Sequence, residues 1–105
     1  MNIEKIIIGD TVKYLKMIAY DSKFKTLSID LVEDPNSDRH RIFELNPISN
    51  YKEDIFGTID ESDLELITGI LEKEINSSYK QISITTDVRE ISFTADENFK
   101  VIPKG

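Results

Sequence analysis

The sequence predicts an α+β fold: an antiparallel sheet of about five to seven strands with one principal amphipathic helix packed on one face. Three observations lead there. Isoleucine dominates the apolar content, with 17 residues against seven leucines and four valines. A β-branched side chain is stiff at χ1 and suits a pleated surface, so this bias favours sheet. Leu27, Ile29 and Leu31 alternate with Ser28 and Asp30, the pattern of a strand with one dry and one wet face. Leu64, Ile67, Leu71 and Ile75 recur at i, i+3, i+7 and i+11, with Leu66 and Ile70 widening the stripe, which is the signature of a helix with one apolar side.

The elements follow in order. Residues 3–8 are a short apolar run closed by Gly9-Asp10, read as a strand or the lead-in to one. Residues 11–20 fit a helix through Val12, Leu15 and Ala19, and a strand through Leu15, Met17 and Ala19. The strand is preferred because Asp21-Ser22-Lys23 then makes a hairpin connection to the strand at 26–32. Glu33-Asp34-Pro35-Asn36-Ser37-Asp38 is turn chemistry. A further strand begins at Arg41 and ends near Pro47, because proline removes a ladder donor. The helix is expected over 60–75, with Asp60 as N-cap, Asp63 three residues on, and Asn76-Ser77-Ser78 as its stop. Gly69 in its middle costs about 1 kcal/mol relative to alanine. Strands at 81–85, 90–95 and 99–102, separated by turns at 87–89 and 96–98, complete the sheet as a meander.

One small domain over residues 1–105 accommodates these elements. There is no cysteine, hence no disulfide and no thiolate metal site. No apolar stretch approaches 18 residues, and the N-terminal MNIEKIIIGD lacks the basic and long apolar regions of a secretory signal. The expectation is therefore a cytoplasmic protein that does not enter membranes. A pI near 4.6 argues against nucleic acid, whose binding depends on Lys and Arg neutralising phosphates.

The whole net charge of −7 lies between residues 53 and 74, where eight acids (Glu53, Asp54, Asp60, Glu61, Asp63, Glu65, Glu72, Glu74) face one base, Lys73. Residues 1–52 and 75–105 are each neutral. Charge confined to one element makes a local field that attracts a cationic partner. On a helix, Glu61, Glu65 and Glu72 form one row opposite the apolar stripe. Acids near the start of a helix complement its dipole, but Glu72 and Glu74 would lie at the disfavoured pole. Glu53, Asp54, Glu61, Asp63, Glu65 and Glu72 are accordingly the candidate surface for a basic protein partner, such as a toxin or effector that an immunity-type protein would inhibit or escort. An oligomeric scaffold or regulatory module, its acidity serving only solubility, is the alternative.

Other chemistries find less support. The stretch 54–65 has the length of a calcium loop and ends in Glu65, but Phe56 and Thr58 occupy ligand positions and Ile59 the glycine position. Asp34-Pro35-Asn36-Ser37-Asp38 begins like such a loop, then places Arg39 at the glycine and Leu45 at the bidentate glutamate. No metal and no cofactor is expected. His40 is the sole histidine and nothing in sequence selects a nucleophile for it, so an enzyme using His40 and carboxylates is a remote third class. The run Arg39-His40-Arg41 reads as an exposed strand end rather than an anion clasp.

Overall fold

The computed structural model describes residues 2–9, 13–36, 39–58 and 64–104. It is mostly β. A short helix, α1 (Ile3–Ile7), precedes six strands: β1 (Tyr14–Asp21), β2 (Thr26–Val32), β3 (His40–Ile55), β4 (Glu65–Glu74), β5 (Lys80–Thr86) and β6 (Arg89–Pro103). All pairings are antiparallel, and the strand order β1-β2-β3-β6-β5-β4 closes into a barrel. The strand count matches the expected sheet. The expected helix does not match.

Over 65–74 the chain is strand β4, paired with β5 from Ile67↔Thr86 to Glu74↔Lys80. Its pairing slips by one residue between Ile67 and Gly69. That bulge inserts Thr68 and shifts the alternation, so the buried Ile67 and Ile70 lie three apart, as they would on a helix. Leu71, placed on the core face by the helical reading, is 71% exposed, and Ile75 is 54% exposed. The expected N-cap Asp60 lies outside the described residues, as does Asp63.

The opposite correction applies at the N-terminus. Residues 3–7 form a helix rather than a strand, because both ends are capped. The Asn2 side chain accepts from the Lys5 amide, and Gly9 takes φ +67° just past the last turn. Ile3 and Ile7 are one turn apart and both enter the core.

Two strands are longer than the turn signals suggest. β3 continues through Pro47, whose missing N–H coincides with a slip in the pairing to β6 between Asn46 and Ile48. Opposite it, Asp96, Glu97 and Asn98 belong to an outward bulge within β6, with Asn98 at φ +68°. Turn-forming residues here bend one strand instead of separating two. A second slip in β3, after Ser49, has Asn50 at φ +54° and turns Tyr51 inward to stack on Tyr20 with ring centroids 4.8 Å apart.

The bounds of the strand at 26–32 and its dry face were legible, though Val32 is buried as well. Leu27, Ile29 and Leu31 are buried and lie in the core with Phe43, Leu45, Ile82 and Ile84. The strand preferred over 11–20 is β1, although Thr11 and Val12 lie outside the described residues. Asparagine and aspartate fold the connections. Asp21 accepts from the amides of Lys23 and Phe24, Asp34 from Asn36, and Asn76 from Ser78 and Tyr79.

Among the described residues the barrel is closed by two pairs between β1 and β4, Tyr14↔Leu66 and Leu15↔Glu65, and by the Ile67 amide donating to the Lys13 carbonyl at 3.1 Å. Beyond that seam, α1 covers the remaining edge of β4. The Glu4 carboxylate accepts from the Ile70 amide at 3.1 Å, and Glu72 accepts from the Ile3 amide at 3.0 Å. Glu4 thereby satisfies an edge donor of β4, and Glu72 an open donor at the start of α1. Among the described residues no helix is long and apolar enough to cross a membrane.

Candidate functional site

Of the six residues singled out by charge, the four that are described fall into two places. Glu53, Asp54 and Glu65 gather at one end of the barrel. Glu72 lies seven residues along β4 from Glu65, roughly 20 Å away at strand rise. Glu61 and Asp63 lie outside the described residues.

At the first end the strand parity turns several polar groups inward. Tyr51 and Glu53 are two apart on β3, Glu65 opens β4, Thr86 ends β5 and Arg89 opens β6. Arg89 grips Glu65 with two donors, Nε at 2.8 Å and Nη2 at 2.6 Å, and reaches Glu53 with Nη1 at 2.5 Å. The Thr86 hydroxyl donates to Glu65 at 3.0 Å, and the Tyr51 hydroxyl to Glu53 at 3.1 Å. The Thr86 oxygen also accepts from the amides of Val88 and Arg89, shaping the β5–β6 turn. Burial works to lower the Arg89 pKa, but the Glu65 hydrogen bonds and the charges of Glu65 and Glu53 outweigh it, and the net shift is upward. Burial also raises the Tyr51 phenol, and the adjacent Glu53 charge raises it further.

This cluster is a fork of one cation between two anions, with hydroxyls completing the acceptors. Two of the six candidate acids, the exposed Glu53 and the largely buried Glu65, are thus engaged by Arg89. Sequence reasoning missed Arg89, Thr86 and Tyr51. Arg89 shares the parity of the buried Ile91 and Phe93, which was a readable signal; Tyr51 and Glu53 were hidden by ending the strand at Pro47.

On the outside of the same end, Asp54 and Glu90 stand directly opposite one another across β3 and β6, and both are exposed. The chain then presents Ile55 and Phe56, which are 55% and 62% exposed. Their backbone is fixed, since the amides of Phe56 and Gly57 both donate to the Val88 carbonyl at 2.9 Å.

Elsewhere, His40 Nδ1 lies 2.8 Å from Asp30 and Nε2 lies 3.4 Å from Lys16 Nζ. The histidine is held in a polar row on the outer face between Asp30 and Lys16. Lys13 is buried and donates to Glu33 at 2.7 Å, which holds the Glu33 carboxyl below its ordinary value. Among the described residues no three His, Asp or Glu side chains are grouped to hold a metal. No family model matches the chain, and neither a curated protein nor a solved structure is detectably similar to it. The reading of function rests on geometry alone.

Proposed function

We propose that this protein is a small non-catalytic binding protein that takes a basic protein partner at the end of β3, inhibiting or escorting it. The observation that carries the reading is the exposed pair Ile55 and Phe56, held on a pinned strand end beside Asp54 and Glu90. Two carboxylates directly opposite each other in a sheet repel, so this pairing is unfavourable to the protein alone. A cation from a partner relieves that repulsion. An aromatic side chain that is exposed in the free protein and rimmed by charge has the makings of an interface anchor. The net charge of −7 would steer a basic molecule toward the surface. The test is affinity capture from host extract with the parent and with Phe56→Ser. A basic protein retained by the parent and lost with the variant is expected; equal retention by both contradicts the assignment.

Self-association is the second reading, favoured by Leu71 and Ile75 exposed at the outer end of β4. It requires a dimer mass in solution that reverts to monomer in Leu71→Lys.

A further inference from the structure

The outer face of the sheet carries a groove of about 560 Å³ across β3, β6 and β5. Asn50, Lys52, Gln81, Ser92 and Thr94 line it, and the exposed Ile75 adds an apolar edge. The slip in β3 between Ser49 and Lys52, with Asn50 at φ +54°, bends that strand beside the groove. The volume falls within the roughly 300–1,000 Å³ of small-molecule sites.

Strand parity and register place the polar groups. Ile91 and Phe93 enter the core, so Ser92 between them faces outward into the groove. It is nevertheless only 6% exposed. Lys52 stands directly opposite it on β3, and Ser83 on β5. Thr94, two residues along the same face, is paired with Gln81. Among the described residues neither the Lys52 ammonium nor the Ser92 hydroxyl has a hydrogen-bond or ion-pair partner. The hydroxyl is reachable, since the sealed and unpartnered side-chain atom among the described residues is Glu72 Oε1 and not Ser92 Oγ. A hydroxyl on so buried a residue is normally hydrogen-bonded, and here the partner has to come from outside the chain. In a chain of net charge −7 the described lining of the groove holds one cation and no acid. Asp54 and Glu90 stand one row further along the same face, yet neither draws Lys52 into an ion pair.

We infer that this groove binds a small hydroxylated carboxylate, of the sugar-acid class. Its carboxylate accepts from Lys52 Nζ and Ser92 Oγ, which the Lys52↔Ser92 pairing sets side by side. Its hydroxyls exchange hydrogen bonds with Thr94, Gln81 and Asn50, whose hydroxyl and amide groups both donate and accept. One wall is pre-formed, because Asn50 Nδ2 donates to Thr94 Oγ1 at 3.4 Å. A phosphate dianion fits less well: a single ammonium offsets a single negative charge, and Asp54 and Glu90 border the site.

The site uses neither Ile55 nor Phe56, so it stands or falls independently of the protein partner. The test is a backbone-amide NMR titration of the full chain with sodium D-gluconate, and with D-glucitol as its neutral match, at equal ionic strength. Saturable shifts at Lys52, Gln81, Ser92 and Thr94 are expected at millimolar gluconate, the affinity proper to so few atoms. Glucitol should bind at least about tenfold more weakly. Lys52→Met keeps the length of the side chain and loses the charge, and should bring gluconate down to the level of glucitol. Ser92→Ala should weaken gluconate by about tenfold. Ser92 is buried, so if that variant does not fold, the exposed Lys52→Met carries the test. Equal response to both probes, gluconate shifts spread over lysines outside the groove, or undiminished binding in Lys52→Met would each overturn the proposal. So would silence from both probes, which means that the Ser92 hydroxyl is served by water only.

Discussion

At Arg89 three N–H donors meet two carboxylates, and each substitution there removes a different part of the arrangement. Arg89→Ala removes the bidentate partner of the largely buried Glu65 and the cation beside the exposed Glu53, so unfolding in denaturant should show a loss of about 1–3 kcal/mol, most of it from Glu65. Arg89→Lys restores the charge without the planar fork and should recover only part of that loss. Tyr51 gives a second reading of the same cluster. Its folded pKa is raised above the ordinary 10.0, so its contribution is fully present below that value and is lost as pH rises through the folded one. In an alkaline absorbance titration Tyr51 should therefore remain a phenol where an ordinary tyrosine is largely ionised. Tyr51→Phe should remove the late-ionising component and leave the ordinary ones, and loss of an ordinary component instead would contradict the placement. The sequence carried a signal for Arg89 that the turn reading over 87–89 passed over. Arg89 stands two residues before Ile91 on a clearly alternating strand, which places it inward. Its partners were not legible, because Glu53 and Glu65 are 36 and 24 residues away and reach it only through barrel closure.

Among the elements, β4 separates two physical accounts of one stretch of sequence. A helix over 60–75 would bury Leu71, whereas a bulged strand exposes it and buries Ile67 and Ile70. On the strand account Leu71→Ala should change stability by no more than about 0.5 kcal/mol. Ile82→Ala, on the paired strand and fully buried, should cost about 2–5 kcal/mol. A large effect at Leu71 would restore the helix. The period-2 pattern failed here because a bulge moves every later side chain to the other face, and β1 carries the same irregularity between Leu15 and Met17. β2 pairs with β3 without a slip, and alternation alone names its buried Leu27, Ile29 and Leu31 but not Val32, which is buried at the strand's end. α1 was hidden for another reason. Five residues give too little periodicity, and only its caps, Asn2 and Gly9, identify it.

For the molecule as a whole, folding redistributes the charge that the chain concentrates in residues 53–74. Arg89, from outside that stretch, takes up Glu53 and Glu65; Lys80, also from outside, approaches Glu72. Glu90 enters from β6 to stand beside Asp54. A count along the sequence gives the total charge correctly and its placement wrongly, since long-range strand pairing decides which acids meet bases. Barrel closure itself joins β1 to β4, positions far apart in sequence, and no local pattern announces such a contact. The functional reading is that the acids left exposed at the end of β3 draw a basic partner onto Ile55 and Phe56. The most direct measurement is the association rate of the captured partner with the parent and with an Asp54→Lys, Glu90→Lys double variant, taken at low and high salt. Both side chains are exposed, so the melting temperature should hold. The variant should associate at least about tenfold more slowly at low salt, and the difference should shrink as salt screens it. Equal rates at low salt, with the fold intact, would contradict the reading and leave the acidic end as a device for solubility.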